Sequence, residues 1–153
     1  MAKNKEEKTN VMRVLEQKKI AYTPHSYPHE EGVAVDGVTV AKSMGFDPAI
    51  VFKTLVARGA SKQYYVFDVP VAENLDLKKA AKAVGEKSIE MLHQKELLPL
   101  TGYVHGGCSP VGMKKLFPTV FHETAENLET MIVSAGKIGY QVELAPHDLA
   151  ALV

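Results

Sequence analysis

Two neighbouring segments that are rich in β-branched and aromatic residues constrain the fold more than any other part of the chain. They span residues 51–58 and 63–69, and only a short stretch that begins at Gly59 separates them. A connection of about four residues closes an antiparallel hairpin, whereas a parallel pair needs a crossover of about a dozen residues or more. The sequence therefore predicts an antiparallel β-hairpin at this place.

Helix and strand patterns are interspersed along the rest of the chain without a regular strand–helix–strand alternation. Such a mixture favours an α+β fold over a doubly wound one, and no repeat or linker divides it into two domains. Asn10, Asp47 and Asp76 are suited to cap helices, because their side chains accept hydrogen bonds from the first backbone N–H groups. Further helices are predicted at residues 38–44, 93–98 and 146–153, and strands at 21–27, 88–92, 119–123, 130–134 and 140–144.

The composition is that of one globular domain with balanced charge. The chain has 153 residues, of which 46% are hydrophobic and 24% charged, and its 18 basic residues equal its 18 acidic ones. A neutral chain has no global field that attracts nucleic acid, although lysines bunch locally, as at Lys114 and Lys115. No apolar run approaches the roughly 18 residues that span a membrane, and a single cysteine forms no internal disulfide, so we expect a cytoplasmic protein. Residues 1–8 lack the apolar core of a signal peptide and are expected to form a flexible tail.

The segment 106–115, called the glycine loop below, holds the only cysteine of the chain, Cys108. Its two consecutive glycines allow the backbone to approach a ligand closely and to direct N–H groups at an anion. His105 precedes the loop and a helix could begin at Val111, and either feature would lower the pKa of a catalytic thiol. An isolated cysteine in a small domain is more often packed in the interior. The loop therefore predicts a ligand site and leaves open whether Cys108 is a nucleophile.

Four other polar side chains stand where a ligand site is possible. Lys53 lies in an otherwise apolar strand, so its ammonium either faces solvent or points into a cavity as a donor to a carbonyl or oxyanion. Thr54 points to the opposite side of an ideal strand, and a bulge or the strand end would bring it into the same cavity. Ser134 closes a strand, where its hydroxyl either contacts a ligand or bonds to the local backbone. Tyr27, at the end of the first strand, lines the same cavity or packs in the core.

No pattern in the sequence predicts a metal or a cofactor. The six histidines form no recognisable zinc spacing with one another, with the acidic residues or with the cysteine. A phosphate-binding Walker A loop, a dinucleotide fingerprint and a nucleophile elbow are absent as well. We therefore expect neither a metal site nor a cofactor.

The segments 51–55, 102–115 and 134–137 together resemble the YbaK/EbsC family of aminoacyl-tRNA deacylases, and in particular its free-standing Cys-tRNA deacylases. The resemblance runs from about Thr9 to the C-terminus, so we expect the deacylase domain at residues 9–153. It implies a single α+β domain with a mixed, mostly antiparallel, barrel-like sheet and surrounding helices. The editing insertion of bacterial prolyl-tRNA synthetases is related to that fold.

The resemblance also implies an activity and partners. The activity is hydrolysis of cysteine mischarged on tRNA(Pro), and of Cys-tRNA more widely, without a cofactor. The implied partners are aminoacyl-tRNAs, namely those of tRNA(Pro) and tRNA(Cys), with prolyl-tRNA synthetase as a further candidate and no membrane. The oligomeric state stays open.

The site residues of the family can be carried over onto matching positions of this chain. Lys53 corresponds to the essential lysine that positions the aminoacyl ester and is the expected catalytic residue. Ser134 is expected to contact the substrate near a strand turn. The other implied substrate-binding residues line the aminoacyl pocket or form the loop that holds the terminal adenosine and the ester: Tyr27, Thr54, Gly106, Gly107, Ser109 and Pro110.

Two positions depart from the family pattern. Gln141 stands where an aspartate is common, and Ala135 stands where a glycine is common. Loss of a carboxylate at Gln141 would weaken recognition of the α-ammonium group of the substrate. The preferred amino acid is therefore less well determined than the fold.

The resemblance implies that the attacking thiol belongs to the substrate. The side chain of the esterified cysteine attacks its own carbonyl, expels the ribose and leaves a cyclic thiolactone, so that Cys108 is a bystander. The protein then contributes orientation and stabilisation of the oxyanion. Two other hypotheses stay open: a deacylase for another amino acid such as alanine, which uses water, and a non-catalytic module that binds aminoacyl-tRNA or a nucleotide.

Overall fold

The computed structural model describes residues 8–30 and 33–153. Within these residues, five α-helices and seven β-strands follow one another irregularly. The helices are α1 (Asn10–Gln17), α2 (Gly37–Ser43), α3 (Leu77–Val84), α4 (Gln94–Thr101) and α5 (Pro146–Leu152). The strands are β1 (Thr23–Ser26), β2 (Phe52–Gly59), β3 (Tyr64–Pro70), β4 (Ile89–Met91), β5 (Thr119–Phe121), β6 (Met131–Ser134) and β7 (Tyr140–Leu144). Two 3-10 turns, Pro48–Ile50 and Glu123–Asn127, precede β2 and β6.

The strands form two sheets. In the first sheet β7 lies between β1 and β6 and pairs antiparallel with both. In the second sheet the order is β4, β2, β3, β5, and the pair of β3 and β5 is parallel. β2 and β3 form the predicted antiparallel hairpin, with continuous register from Phe52 opposite Pro70 to Arg58 opposite Tyr64. An isolated parallel bridge between Val51 and Ile132 links the two sheets.

The predicted α+β class, with mostly antiparallel strands and surrounding helices, is confirmed. The described strands form two linked sheets rather than a closed barrel, since the link between the sheets is the single bridge at Val51. The predicted tail at residues 1–8 lies outside the described residues except for Lys8, whose ammonium is 2.9 Å from the Glu16 carboxylate. The domain limits at residues 9–153 stay a prediction.

The main hydrophobic core joins both sheets to α1 and to the glycine loop. Its most buried large side chains include Leu15 of α1, Phe52 of β2, Met131 of β6 and Leu144 of β7. Burial of a side chain of this size stabilises the fold by about 1.5–3 kcal/mol. Val111 of the glycine loop is buried in the same core. The loop and β2 are therefore held in a fixed relation to each other.

Two helix ends differ from the prediction. α1 is capped by Thr9 rather than by Asn10, because the Thr9 side chain accepts the hydrogen bond from a first-turn N–H. α4 continues through Pro99 to Thr101, whereas the sequence predicts an end near the proline. Proline removes one backbone hydrogen bond. The following turn is closed by other bonds, among them one of 2.8 Å from the Thr101 hydroxyl to the Leu97 carbonyl.

Candidate active site

A cavity of about 360 Å³ lies where β2 faces α2, the glycine loop and the sheet of β6 and β7. Its volume is within the range of small-molecule sites, about 300–1,000 Å³. Asp36, His105, Cys108 and Gln141 are among its lining residues. The cavity also brings together five of the predicted site residues: Tyr27, Lys53, Thr54, Gly106 and Ser134.

Four consecutive residues of β2, 52–55, line this cavity. Successive side chains of a strand point to opposite faces, so a cavity on one face would meet only every second residue. Among the described strands, β4 pairs with β2 only at residues 57–59, which leaves the first half of β2 with an open edge. Because four consecutive residues line the cavity, we infer that it runs along this edge. Lys53 and Thr54 therefore both reach it without a bulge, since the register with β3 is continuous.

Lys53 brings a positive charge to the cavity. The ion pairs between described residues do not include Lys53, so its half-buried ammonium is available to a ligand. Asp36 lines the same cavity and caps α2. The pKa of Asp36 is lowered first by hydrogen bonds from the N–H and the hydroxyl of Thr39, at 3.1 and 3.0 Å, and further by the charge of Lys53. The cavity therefore carries one cation and one anion.

Thr54 is bonded to a buried carboxyl that sequence reasoning missed. Its hydroxyl lies 2.5 Å from Oδ1 of Asp68, which is opposite it in the β2–β3 hairpin. Asp68 is fully buried, and its Oδ2 has no hydrogen-bond partner among the described residues. Burial raises the pKa of Asp68 to about 7, and the bond from Thr54 opposes this rise only in part. The available signal was an acidic residue in an otherwise apolar strand.

The two consecutive glycines of the glycine loop pack closely against neighbouring residues. Gly106 has a φ of +90°, and a Cβ on it would lie 2.7 Å from the Cβ of Ala34. A Cβ on Gly107 would lie 3.1 Å from the backbone nitrogen of Ile138. The Gly107 N–H donates to the Val104 carbonyl at 3.0 Å and closes a turn. The expectation that both N–H groups point at an anion is therefore wrong for Gly107, which allows close packing instead.

Three predicted residues of the loop are buried beside the cavity and are not among its lining residues. They are Gly107, Ser109 and Pro110. The Ser109 hydroxyl oxygen accepts a hydrogen bond of 3.2 Å from the Val111 N–H. Residues 111–115 form bends, and no helix begins at Val111. Contact of these three residues with a substrate stays a prediction.

Cys108 lines the cavity, but its thiol is not activated. Burial raises the pKa of Cys108 to about 12, with a further contribution from the charge of Asp68, while the Thr101 hydroxyl opposes the rise. His105 also lines the cavity, yet no hydrogen bond between described residues joins it to the thiol. The thiolate is the nucleophilic form of cysteine. The structure therefore favours a packed cysteine over a nucleophile.

The cavity is also lined by Ser134, Gln141 and Tyr27, which belong to the other sheet or follow one of its strands. The Ser134 hydroxyl oxygen accepts a hydrogen bond of 3.1 Å from the Gly136 N–H, which leaves its own proton to be donated. Ser134 therefore bonds to the local backbone and also lines the cavity, and its contact with a ligand stays a prediction. Oε1 of Gln141 is buried and has no hydrogen-bond partner in the part of the chain that the structure describes. Tyr27 is 5% exposed, and burial raises the pKa of its phenol.

A larger cavity, of about 820 Å³, lies between the turn Glu123–Asn127 and α5. None of the predicted site residues lines it. Its charged lining groups include the carboxylates of Glu123, Glu126 and Glu129, which would repel the phosphates of a nucleic acid. The smaller cavity at β2 is therefore the candidate active site.

The described residues hold neither a metal-binding group of side chains nor a membrane-spanning helix. No group of histidine, cysteine, aspartate and glutamate side chains in them could hold a metal ion. None of their helices is both long enough and apolar enough to cross a membrane.

The model of the aminoacyl-tRNA editing domain family matches residues 32–152. The chain belongs to this family. A relative in Enterococcus faecalis (strain ATCC 700802 / V583), EbsC, is 47% identical over 153 aligned positions, which cover 99% of this chain and 93% of EbsC. EbsC is named as a candidate Cys-tRNA(Pro)/Cys-tRNA(Cys) deacylase. The resemblance to the YbaK/EbsC family is thus confirmed.

Solved structures share the fold over nearly the whole chain. A candidate trans-editing enzyme for prolyl-tRNA synthetase is 25% identical with a TM-score of 0.76, and the match covers 93% of this chain and 90% of that one. A scaffold protein from computational epitope-backbone grafting is also 25% identical, with a TM-score of 0.79 and coverage of 93% and 88%. The protein APE2540 is 17% identical with a TM-score of 0.81 and coverage of 94% and 93%, which shows the fold alone.

Proposed function

We propose that the protein is a trans-editing hydrolase that deacylates cysteine mischarged on tRNA(Pro), and Cys-tRNA more widely. The observation that carries the proposal is the cavity on the open edge of β2, where Lys53, Thr54 and Ser134 meet in a member of the editing-domain family. EbsC, which is 47% identical, is named for the same substrates. The volume of the cavity suits the aminoacyl end of a tRNA, with the rest of the tRNA outside.

The proposed reaction uses no nucleophile from the protein. The thiol of the esterified cysteine attacks the carbonyl carbon of its own ester, so a C–S bond forms as the C–O bond to the terminal ribose breaks. The thiol proton passes to the departing ribose oxygen. Water then opens the cyclic thiolactone and gives free cysteine. The high pKa of the buried Cys108 thiol supports this scheme, because that thiol stays protonated at neutral pH.

We assign the catalytic role to Lys53. Its ammonium stabilises the negative charge that develops on the carbonyl oxygen when the thiol attacks, and one well-placed donor of this kind contributes about 3 kcal/mol. The half-buried position strengthens that interaction relative to bulk water. The unpaired edge of β2 offers backbone groups beside the ammonium, which supports the same placement of the ester.

The substrate-binding residues divide into two groups. Tyr27, Thr54 and Ser134 are assigned to the aminoacyl group, since all three line the cavity. The glycine loop is assigned to the terminal adenosine and the ester. In that loop Gly106 lines the cavity. The buried residues Gly107, Ser109 and Pro110 hold the loop in place beside the cavity, and their contact with the substrate stays a prediction.

Gln141 is assigned to the α-amino group of the substrate. Its buried Oε1 has no hydrogen-bond partner in the described segments, and the residue lines the cavity. A buried carbonyl oxygen without a hydrogen bond is costly, and an N–H donor from a ligand would satisfy it. An amide oxygen accepts such a bond without the charge of the aspartate that is common at this position in the family.

The proposed partners follow from the proposed substrate. The acceptor ends of tRNA(Pro) and tRNA(Cys) enter the cavity, and prolyl-tRNA synthetase is the enzyme that supplies the mischarged tRNA(Pro). With a net charge of zero, the chain has little general attraction for RNA, so a synthetase partner would raise the effective affinity. We place this activity in the cytoplasm, where the synthetase charges tRNA.

A panel of mischarged tRNAs tests the proposal. Purified protein is incubated with equal amounts of Cys-tRNA(Pro), Ser-tRNA(Pro) and Ala-tRNA(Pro), and the release of each amino acid is measured against the spontaneous rate. We expect hydrolysis of the cysteinyl ester and only the spontaneous rate for alanine, which has no side-chain nucleophile. Equal rates for alanine and cysteine would replace the thiol mechanism by attack of water. A stoichiometric complex without turnover would indicate a binding module instead.

A further inference from the structure

Asp68 is a buried titratable group that the reaction described above does not use. It lies in β3 and is fully excluded from solvent, and within residues 8–30 and 33–153 only one of its carboxyl oxygens has a hydrogen-bond partner. That partner is the Thr54 hydroxyl, 2.5 Å from Oδ1. Thr54 in turn lines the cavity. The carboxyl is therefore one hydrogen bond away from a residue of the candidate active site.

A threonine hydroxyl has one proton and two lone pairs, so its bond to Asp68 decides what it offers to a ligand. An ionised carboxylate can only accept. It takes the Thr54 proton and leaves the hydroxyl as an acceptor. A neutral carboxyl donates its own proton to the Thr54 oxygen, and the hydroxyl proton is then free to be donated elsewhere. The same pair of side chains thus offers opposite hydrogen-bond roles in the two states.

The protonation state of Asp68 itself determines which of the two hydrogen-bond roles Thr54 has. Phe121 of β5, which is in register with Asp68, does not titrate. Among the described residues, the Cys108 thiol interacts electrostatically with Asp68, and its pKa of about 12 keeps it neutral. His122 contacts Asp68 through its backbone, where its N–H donates to the Asp68 carbonyl at 2.9 Å. Asp68 belongs to none of the ion pairs of that part of the chain. Burial raises its pKa to about 7, so both states are populated near neutral pH.

We propose that Asp68 is a positioning residue of the deacylase, which acts through Thr54 by setting its hydroxyl to accept a hydrogen bond from the α-ammonium of the substrate. The inference rests on the proposed function. An ammonium has only N–H donors to offer, so the productive state is the one in which Asp68 is ionised and Thr54 accepts. The negative charge behind Thr54 also attracts the ammonium.

The test compares the deacylation of Cys-tRNA(Pro) by the wild type and by Asp68→Asn from about pH 5.5 to about pH 9. Asparagine is a matched replacement for the neutral carboxyl, because its amide can donate to the Thr54 oxygen. At each pH, the kcat/KM of the wild type is divided by the kcat/KM of Asp68→Asn, so that the titration of the substrate cancels. We expect this ratio to rise from near one in acid to about tenfold in base, with its inflection near pH 7.

Two variants of Thr54 separate positioning from a general structural role. Thr54→Val removes the hydroxyl, so adding Asp68→Asn to it should leave the pH profile unchanged. Thr54→Ser keeps the hydroxyl and should retain the rise of the ratio. A flat ratio in the wild-type background, or the same rise in the Thr54→Val background, overturns the inference. Thermal unfolding of each variant verifies that the compared proteins are folded.

Binding of a non-hydrolysable analogue keeps this inference apart from the proposed function. The probe is cysteine joined to 3′-amino-3′-deoxyadenosine by an amide, titrated calorimetrically at the same pH values. Binding with the predicted pH dependence, but without hydrolysis of Cys-tRNA(Pro), overturns the proposed function and supports the role of Asp68 in binding. Hydrolysis with a flat ratio overturns the role of Asp68 alone. If the protein neither binds the analogue nor hydrolyses Cys-tRNA(Pro), both the proposed function and the role of Asp68 are overturned.

Discussion

The glycine loop and the open edge of β2 border the same cavity, but their polar groups are used in different ways. In the loop, the Gly107 N–H and the Ser109 hydroxyl oxygen bond within the loop region, and Cys108 is buried as a neutral thiol. At the edge of β2, the Lys53 ammonium has no ion-pair partner among the described residues. A segment whose polar groups bond to one another defines the shape of the cavity, whereas polar groups without such partners are available to act on the substrate. We therefore expect variants at the edge to affect the reaction most.

Lys53→Met should have the largest effect on activity. Methionine keeps most of the length and the apolar stem of lysine but removes the charge that stabilises the oxyanion. We expect the single-turnover rate on Cys-tRNA(Pro) to fall by about a hundredfold to a thousandfold, or about 3–4 kcal/mol. Lys53→Arg, which keeps the charge in a different geometry, is the matched variant. A Lys53→Met rate within a few-fold of the wild type would show that the edge does not supply the chemistry.

Asp68→Asn should stabilise the protein by an amount that depends on pH. The pKa of Asp68 is raised from 3.8 to about 7, so the folded state holds a proton that the unfolded state has released between about pH 4 and pH 7. Stability contributed by Asp68 is therefore greatest below about pH 4 and is lost as the pH rises to about 7. Each pKa unit corresponds to about 1.4 kcal/mol, so Asp68→Asn should gain about 4 kcal/mol at pH 8 and little at pH 4. Urea unfolding at pH 4 and at pH 8 measures this gain in the free energy of unfolding.

Asp36→Asn is the control for that experiment, because its pH dependence has the opposite sign. Hydrogen bonds from Thr39 lower the pKa of Asp36 in the folded state. The stability contributed by the Asp36 carboxylate is therefore present above the pKa that Asp36 has in the unfolded state, and it is lost as the pH falls. A gain from Asp68→Asn that is equal at pH 4 and pH 8 would mean that the buried carboxyl titrates normally.

The sequence predicts the hairpin and most residues of the cavity well, because the patterns that indicate them lie within short segments of the chain. The hairpin follows from two β-rich segments and a short turn, and five site residues that were expected to meet do line one cavity. The open edge of β2 depends on where β4 stops pairing, which no residue in β2 itself encodes. Asp68 escaped notice because an isolated acidic residue in a strand gives no hint of its partner across the hairpin. A single residue does not show which strand its own strand pairs with at a distance along the sequence.

Gly106→Ala should destabilise the loop by about 2 kcal/mol. The new Cβ would lie 2.7 Å from the Cβ of Ala34, and the residue has a φ of +90°. Gly45→Ala is the matched control, since Gly45 has a φ of +79° but a Cβ there would meet nothing within 4 Å. The difference between the two variants in thermal unfolding isolates the contact with Ala34. Activity should fall in Gly106→Ala alone; an equal loss in both would mean that the loop does not shape the cavity.

Gln141→Leu should weaken substrate binding by about fivefold, or about 1 kcal/mol, since it removes the acceptor assigned to the α-amino group. Gln141→Asp restores an acceptor with a charge and should bind at least as tightly as the wild type. Calorimetric titration with the amide analogue measures both. Because Oε1 has no hydrogen-bond partner among the described residues, Gln141→Leu should not lower the free energy of unfolding. Unchanged binding by Gln141→Leu would remove Gln141 from the site.

Cys108→Ala should have the smallest effect on the reaction, with a rate on Cys-tRNA(Pro) within about twofold of the wild type. The cysteine lies in the loop that gives shape, is 7% exposed, and has a pKa of about 12, so its thiolate is scarce at neutral pH. Iodoacetamide should accordingly label the folded protein slowly and the unfolded protein fast. A loss comparable with that of Lys53→Met would place a nucleophile in the loop after all. It would also reverse the division of roles between the loop and the edge of β2, because the attacking sulfur would then come from the protein and not from the substrate.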